Sequence, residues 1–252
     1  MAKILVIASN YGLWAEELQA PWDTLKSAGH ELTLATFLGK TPLPFALSMD
    51  PEFIDPMLNI PMNSPELLVR VNEILDKDEW ANTIKISDAN MDNYDHLVLV
   101  GGPGAAVDIA GNMFVHKLII SAYKNDKVIG ALCYAVAALV FARDPDNHQK
   151  SVIHGKTVTA HPHAWDFDVD VVYDVVRSTT ENPNIKLRTS GFLFPLQHIT
   201  EDAVGTDGQV VSDEKANRNN PCVRWDAPFV TALSVESSNA FGCKLVEVIE
   251  AW

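Results

Sequence analysis

The sequence has few cysteines and few basic residues. Only three cysteines occur in 252 residues, Cys133, Cys222 and Cys243, and no two of them form a Cys-x-x-Cys pair. This sparse, odd set excludes a disulfide framework and fits a reducing compartment. Lys and Arg together number 19 against 33 Asp and Glu, so the net charge is -14. This acidic balance argues against nucleic acid as a partner, because nucleic-acid binding depends on basic residues that contact phosphates.

Long apolar runs, internal repeats and low-complexity tracts are also missing. The longest apolar runs break after about ten residues, whereas a membrane-spanning helix needs ~20. The first nine residues, Met1–Ser9, lack a separate charged region, apolar region and cleavage site, and their pattern is typical of a first strand. We therefore expect a cytoplasmic protein with no membrane partner.

Apolar runs of strand length alternate with helical patterns along the chain. The strand-like runs are Ile4–Ala8, Leu32–Thr36, Leu97–Val100, Val128–Leu132 and Phe229–Leu233. The helical patterns cover Leu13–Ala28, Pro65–Leu75, Met113–Tyr123, Tyr134–Ala142 and Ser237–Glu250. Near-continuous apolar strands are typical of strands buried on both faces. The alternation predicts an α/β fold, a flavodoxin-like three-layer α/β/α sandwich with a mostly parallel central sheet.

Two regions do not follow this alternation. Residues 41–65 contain six prolines, and we expect this segment to wrap the surface as an ordered excursion. Residues 165–215 combine a β-rich run at Val169–Val176, a polar turn at Thr179–Asn184 and an apolar run at Gly191–Leu196, whose elements the pattern does not assign. Because no linker separates two units, we predict one domain over residues 1–252 with these two surface excursions.

Cys133 lies where an apolar strand meets an alanine-rich helical run. Two residues away on either side are Ala131 and Ala135, which are small enough for the tight turn of a nucleophile elbow. A residue at such a turn lies at the carboxyl edge of the sheet, where open α/β folds bind ligands. The N-terminus of the following helix would favour the thiolate over the thiol. The alternative is a buried structural cysteine, and the local sequence alone does not choose between the two.

Two further segments follow strands toward the same edge. The glycine turn Gly101–Gly104 can present free N–H groups as half of an oxyanion hole, with the N–H of Tyr134 as the other half; the alternative is a plain βα turn. The segment after the first strand carries Glu16 and Glu17, and without further information a solvated helical face is the better interpretation for both. Pro21 lacks an N–H and predicts a bend in this helix.

A His-x-His segment, His161-Pro162-His163, precedes Trp165 and Asp166. Its spacing matches no strong zinc signature, and we predict no metal site. We expect Cys222 and Cys243 to fill core or surface space.

Together these motifs resemble the ThiJ/PfpI superfamily, also called the DJ-one family, which is related to class-I glutamine amidotransferase domains. The resemblance spans nearly the whole chain and rests on the Glu four residues before Pro21, the Gly-Gly-Pro-Gly turn followed by Asp108, and the Cys133 elbow. The pairs Asp50-Pro51 and Tyr94-Asp95 are similar to a larger branch that includes heat-shock chaperones with glyoxalase III activity. The resemblance implies a homodimer, and no organic cofactor because the nucleophile is the protein's own.

The resemblance also implies roles for particular residues. Cys133 matches the nucleophile, and Glu17 matches the carboxyl group that hydrogen-bonds it and that should have a raised pKa. The backbones of Gly102 and Tyr134 match the oxyanion hole. Tyr134 itself is a departure, because most hydrolase and glyoxalase members have His directly after the Cys. His161 is the candidate third catalytic residue, because its segment is similar to the His-Pro segment of DJ-one; the alternative is a structural loop histidine.

These roles imply a cysteine-dependent enzyme that acts on a small electrophilic carbonyl substrate. The reaction would be that of a glyoxalase III or deglycase-like enzyme, or of a related hydratase or amidase. The phenol of Tyr134 would then be another proton donor. The alternative is a non-enzymatic oxidative-stress protein, a redox-sensing cysteine or a holdase-type chaperone, and the missing adjacent His supports it.

Overall fold

A computed structural model describes residues 1–180 and 187–252. Its strands are β1 Lys3–Ile7, β2 Glu31–Thr36, β3 Thr83–Lys85, β4 His96–Leu99, β5 Ile129–Leu132, β6 Thr157–Thr159, β7 Val171–Tyr173, β8 Leu187–Thr189, β9 Gln209–Val211, β10 Val223–Asp226 and β11 Phe229–Ala232. Its helices are α1 Ala15–Ser27, α2 Pro65–Asp76, α3 Ala105–Asp108, α4 Met113–Lys124, α5 Val136–Phe141, α6 Leu196–Val204 and α7 Ser238–Ala251.

In the described residues, the central sheet has seven strands in the order β10-β11-β5-β4-β1-β2-β3. All its neighbouring strands are parallel except β10 and β11, which are antiparallel. The prediction of a mostly parallel sheet is therefore confirmed. The strands with continuous apolar sequence, such as β4 and β5, are buried along their whole length, as expected for strands covered on both faces.

Helices cover both faces of the sheet. On one face Gly130 of β5 lies under α7, where an added Cβ would be 2.9 Å from the Leu245 side chain. On the other face Tyr123 of α4 stacks on Phe229 of β11, with ring centroids 5.8 Å apart. Phe229 pairs with Ile129, the neighbour of Gly130, so its side chain points away from α7. The three-layer arrangement predicted from the alternating pattern is thus present.

The short elements are where the prediction is incomplete. The two-stranded pairs β6–β9 and β7–β8, the edge strands β3 and β10, and the helices α3 and α6 were not assigned from the sequence. Most of these strands have three residues, too few to show an alternating pattern. The run Val169–Val176 contains β7, whereas the run Gly191–Leu196 is a loop up to Pro195 and enters α6 at Leu196. Of the predicted polar turn Thr179–Asn184, residues 181–184 lie outside the described residues.

The two segments that break the alternation pack against each other above the carboxyl edge of the sheet. Phe45, in the proline-rich segment, is fully buried and forms a bridge with Val175. A second apolar cluster joins both segments to the chain after β1 and after β11, through Trp14, Phe45, Phe167, Val171, Tyr173 and Val235. The proline-rich segment 41–65 therefore runs along the surface but also buries the side chain of Phe45.

Across the described ranges, no helix is long and apolar enough to cross a bilayer. Helix α1 continues through Pro21, which lies inside it.

The close contact between β5 and α7 predicts that any side chain at position 130 destabilises the fold. We expect Gly130→Val to lower the free energy of unfolding by about 1–3 kcal/mol, because the new methyl groups would overlap Phe241 and Leu245 in a filled core. Urea unfolding of the variant measures this. Gly111→Val is the matched control, since no atom lies within 4 Å of a Cβ built there. Equal effects at the two positions would contradict the prediction.

Candidate active site

Cys133 has the backbone conformation of a nucleophile elbow. Strand β5 ends at Leu132, and Cys133 follows with φ of 54°, in the left-handed region that non-glycine residues rarely occupy. A 3₁₀ turn over Cys133–Ala135 leads into α5. Ala131 and Ala135 are fully buried, in agreement with the need for small neighbours. Strained residues of this kind cluster at functional sites, where the surrounding structure holds them.

The glycine turn after β4 makes room for the side chain of Glu17. A Cβ atom at Gly101 would collide with Glu17 Oε2 and would lie 2.8 Å from Cys133 Cβ. Gly102 has φ of 96°, and a Cβ there would collide with the backbone N of Trp14. Because both positions are glycine, the turn after β4, the start of α1 and the Cys133 elbow can lie in direct contact.

Glu17 is a buried acid whose carboxyl group lies beside Cys133. Its side chain extends from the first turn of α1, and the residue is 1% exposed. Burial is the main cause that raises the pKa of Glu17 from 4.5 to about 8, and the charges of Glu236 and Glu16 add to this increase. Hydrogen bonds with the Cys133 side chain and with the Gly102 N–H oppose it. Glu17 therefore holds its proton at neutral pH. Protonated carboxyl groups of this kind can donate a hydrogen bond or a proton.

The pKa of the Cys133 thiol is raised well above its ordinary value. Burial is the main cause and the neighbouring carboxyl group of Glu17 is the next, whereas hydrogen bonds with Ser234 and with the N–H of Tyr134 oppose the increase in part. The Ser234 Oγ lies 3.6 Å from Cys133 Sγ. The expectation of a lowered pKa from a helix N-terminus is wrong in direction, because it took no account of burial. Ser234 was missed, although it is a polar residue two positions after β11 and thus lies at the same edge of the sheet.

The hydroxyl of Tyr134 is held by a hydrogen bond to a carboxylate. Its hydroxyl donates a 2.5 Å hydrogen bond to Asp166 Oδ1. Burial and then the charge of Asp166 raise the pKa of the Tyr134 phenol well above its ordinary value. The sequence-based idea of the phenol as an alternative proton donor to substrate therefore fails, because its proton is already shared with Asp166.

Asp166 also links Tyr134 to two histidines. His161 Nδ1 lies 3.3 Å from Asp166 Oδ1, and His163 Nδ1 lies 3.1 Å from Asp166 Oδ2. Burial alone would raise the pKa of Asp166, but the contacts with His161 and Tyr134 hold it below its ordinary value. Asp166 is thus an ionised acceptor next to the site, a role that was not predicted.

His161 lines the same cavity as Cys133, Glu17 and Gly102. It is 7% exposed, and its ring centroid is 5.3 Å from that of Tyr134. Among the described residues, no hydrogen bond joins His161 to Cys133. The structure therefore brings Cys133, Glu17, Gly102 and Tyr134 into direct proximity and places His161 at the same cavity without a hydrogen bond to the sulfur.

Glu16 is not on a solvated helical face, so that interpretation was wrong. Its side chain is 5% exposed and accepts two hydrogen bonds from the guanidinium group of Arg218, one of them 2.7 Å long. Arg218 also donates to the backbone oxygen of Met62. The partner is 202 positions away in the sequence, so no local pattern indicates it.

Two neighbouring spaces lie at the site. The inner cavity, next to Cys133 and Glu17, has a volume of about 30 Å³. The outer space, which we call the vestibule, has a volume of about 370 Å³. Five residues line both spaces: Asp55, Met62, His161, Ser234 and Val235. Because the two spaces share these walls, a molecule that reacts at the sulfur would have the vestibule directly beside it.

Within residues 1–180 and 187–252, no group of three or more His, Cys, Asp and Glu side chains is arranged to hold a metal ion. Cys222 is buried and Cys243 is exposed.

The chain is similar in sequence and in structure to proteins of one family. Residues 2–248 match the model of the DJ-1/PfpI family. A curated relative, the glutathione-independent glyoxalase hsp3101 of Schizosaccharomyces pombe, is 23% identical over 83% of this chain and 88% of its own.

Solved structures share the fold. Rapid Encystment Protein 24 KDa of Francisella tularensis has a TM-score of 0.69 at 19% identity over 98% of both chains. Glyoxalase III from Candida albicans has a TM-score of 0.66 at 18% identity, over 97% of this chain and 96% of the other.

The raised pKa of Glu17 predicts a pH-dependent gain in stability when the acid is removed. Between pH 4.5 and about 8 the unfolded chain releases this proton and the folded chain keeps it, so Glu17 lowers the stability of the fold progressively as pH rises. We expect Glu17→Gln to stabilise the protein relative to wild type, by little near pH 4.5 and by roughly 2–4 kcal/mol above pH 8.

Urea unfolding across this pH range measures the difference. Glu66→Gln, at an exposed position in the first turn of α2, is the control. A difference between Glu17→Gln and wild type that does not change with pH would contradict the assignment of a buried, protonated Glu17.

Proposed function

Because this chain belongs to the DJ-1/PfpI family, we propose that it is a glutathione-independent glyoxalase that uses Cys133. It would convert an α-oxoaldehyde into the corresponding 2-hydroxy acid. The observation that supports this most directly is a buried, protonated Glu17 beside a cysteine in a left-handed elbow. The glyoxalase names of the relatives from Schizosaccharomyces pombe and Candida albicans support the same reaction class.

The first step is addition of the sulfur to the aldehyde carbon. The thiol proton passes to His161, the Sγ–C bond forms, and the aldehyde oxygen takes the proton of Glu17, which gives a hemithioacetal. While charge develops on that oxygen, the backbone N–H groups of Gly102 and Tyr134 stabilise it. The hydrogen bond from Ser234 supports negative charge on the sulfur as its proton leaves.

The second step moves hydrogen between the two carbons. The Glu17 carboxylate removes the proton from the former aldehyde carbon while protonated His161 gives its proton to the ketone oxygen, so an enediol forms. Glu17 then returns the carbon proton to the neighbouring carbon and His161 takes the proton of the hydroxyl next to sulfur, which leaves a thioester. Water cleaves the thioester: its hydroxyl goes to the acyl carbon, its proton restores the Cys133 thiol, and the proton left on His161 returns to Glu17. One carbon is oxidised and the other is reduced, so no external oxidant is needed.

Asp166 would position His161 for these transfers. In this chain the residue after the nucleophile is Tyr134, which cannot serve as the base because its hydroxyl is bonded to Asp166. The same Asp166 lies next to His161 Nδ1. A carboxylate 3.3 Å from this nitrogen would orient the ring, and the proton-transfer role would move from the position after Cys133 to His161.

The redox-sensing alternative has less support from the relatives. Both reactions would use the same Cys133 thiolate as nucleophile, and the relatives described above that are named for an activity are glyoxalases.

The proposal predicts that Cys133→Ala abolishes formation of lactate from methylglyoxal, because no other group supplies the nucleophile. We expect kcat/KM to fall about 10³-fold or more, measured as lactate released. Cys243→Ala, which removes an exposed thiol, is the control and should retain the wild-type rate. Equal rates for wild type and Cys133→Ala would refute the proposal.

The proposal also predicts a difference between two neighbouring histidines that contact Asp166. His161→Asn should lower kcat by about 10²- to 10⁴-fold, the range for loss of a general acid-base group. His163→Asn is the matched control: its side chain is 57% exposed and contacts the other oxygen of Asp166, so its kcat should change less than about threefold. Steady-state kinetics on methylglyoxal test both, and equal losses would show that Asp166, rather than His161, is what the reaction requires.

A further inference from the structure

The vestibule outside the Cys133 cavity is far larger than the reaction itself needs. The inner cavity, at about 30 Å³, holds roughly the volume of one water molecule in the liquid. The vestibule, at about 370 Å³, lies within the range of pockets that bind larger organic ligands. A small substrate such as methylglyoxal would leave most of this space filled with water.

The walls of the vestibule are somewhat more apolar than polar. Leu58, Ile60, Met62, Trp165 and Val235 supply most of the apolar surface, whereas Asn217 and Asn219 add polar amide groups. Ala216 also lines the vestibule and belongs to a small buried cluster with Trp165 and Leu233. Ile60 is 46% exposed at the outer side. Apolar surface of this kind gains free energy when a ligand displaces water from it.

The charges of the vestibule disfavour an anionic ligand. Of the described residues that line it, Arg218 is the one with a permanent positive charge, and Glu16 already binds its guanidinium group. Asp55 and Glu236 also line the vestibule and carry carboxyl groups. An additional carboxylate or phosphate would thus meet acids and a neutralised arginine, and would lose its hydration without a free cationic partner among the described lining residues.

We infer that the substrate is an α-oxoaldehyde with a bulky, apolar, uncharged substituent, of which an aryl group is the best example. This inference rests on the proposed glyoxalase function. The aldehyde carbonyl occupies the inner cavity beside Cys133, and the rest of the molecule, with its substituent, lies in the vestibule that Trp165, Met62 and Ile60 line. The vestibule is therefore a specificity site, and methylglyoxal is a minimal substrate that leaves it unused.

The first experiment compares three substrates by their kcat/KM values: methylglyoxal, phenylglyoxal and phenylglyoxal with a carboxylate in the para position. We expect phenylglyoxal to exceed methylglyoxal by about tenfold or more, and the carboxylated analogue to lose most of that advantage. Ala216→Trp, which fills the vestibule, should lower the phenylglyoxal value about tenfold and change the methylglyoxal value less than about twofold. Equal values for methylglyoxal and phenylglyoxal in wild type, or equal losses in Ala216→Trp, would overturn the inference.

A second variant covers the case in which Ala216→Trp does not fold. Ile60→Arg adds an unpaired cation at the exposed side of the vestibule. It should raise the kcat/KM value for the carboxylated analogue, relative to that for phenylglyoxal, about tenfold. Val69→Arg is its matched control, because Val69 is also an exposed aliphatic residue and lies on α2, outside the vestibule. The same change in both variants would reflect the net charge of the protein and would count against the inference.

Alkylation of Cys133 tests the vestibule without any turnover. The probes are iodoacetamide, 2-iodo-N-phenylacetamide and iodoacetate; the rates are followed on the Cys133 peptide by mass spectrometry and divided by those for glutathione. We expect the anilide to react about tenfold faster than iodoacetamide, iodoacetate to react slowest, and Ala216→Trp to cancel the advantage of the anilide.

The two experiments separate the two proposals. Turnover without any preference for the aryl compound overturns the inference and leaves the glyoxalase function. Aryl-selective alkylation without turnover of any oxoaldehyde refutes the glyoxalase function, while the vestibule is still assigned to an apolar, uncharged substituent. Absence of an aryl preference in both experiments overturns the inference whatever the reaction is.

Discussion

The contact between the Glu17 carboxyl group and the Cys133 thiol is the constraint on which the rest of the site depends. Two ionisable groups are buried side by side, and at neutral pH burial keeps the proton on Glu17. To hold them there, the chain places Cys133 in a left-handed conformation and uses Gly101 where any side chain would strike Glu17. The fold accepts this strain and desolvation because the surrounding strands and helices are packed on all sides. The result is an acid placed to protonate whatever oxygen is bound next to the sulfur.

The second constraint is Tyr134, which occupies the position directly after the nucleophile. Its hydroxyl is fixed on Asp166, and the same carboxylate faces His161. One carboxylate therefore lies next to both side chains. Under the proposed mechanism, the proton-transferring histidine comes from the segment after β6, which lines the same cavity as Cys133, instead of from the position directly after the cysteine.

The two segments that interrupt the alternation of strands and helices determine what reaches the site. They close over the carboxyl edge of the sheet, anchored by Phe45 and by the pairing of Phe45 with Val175. The ion pair between Glu16 and Arg218 joins the start of α1 to the loop before β10. These contacts leave a narrow cavity at the sulfur and a wider, mostly apolar vestibule outside it. In the homodimer expected from the family resemblance, the partner subunit would add a further boundary to the site. This homodimer stays a prediction.

The sequence by itself determined the five inner strands of the sheet, the main helices and the position of Cys133 at the end of β5. It could do so because buried strands have continuous apolar sequence, and because a tight elbow requires small residues such as Ala131 and Ala135 around it. Glu17 and His161 were named through resemblance, since a single residue on a helix or loop carries no local signal. Only the tertiary structure decided the direction of the Cys133 pKa, the pairing of Glu16 with Arg218, the roles of Ser234 and Asp166, and the size of the vestibule. Each of these depends on burial or on partners distant in the chain, which local patterns of residues do not contain.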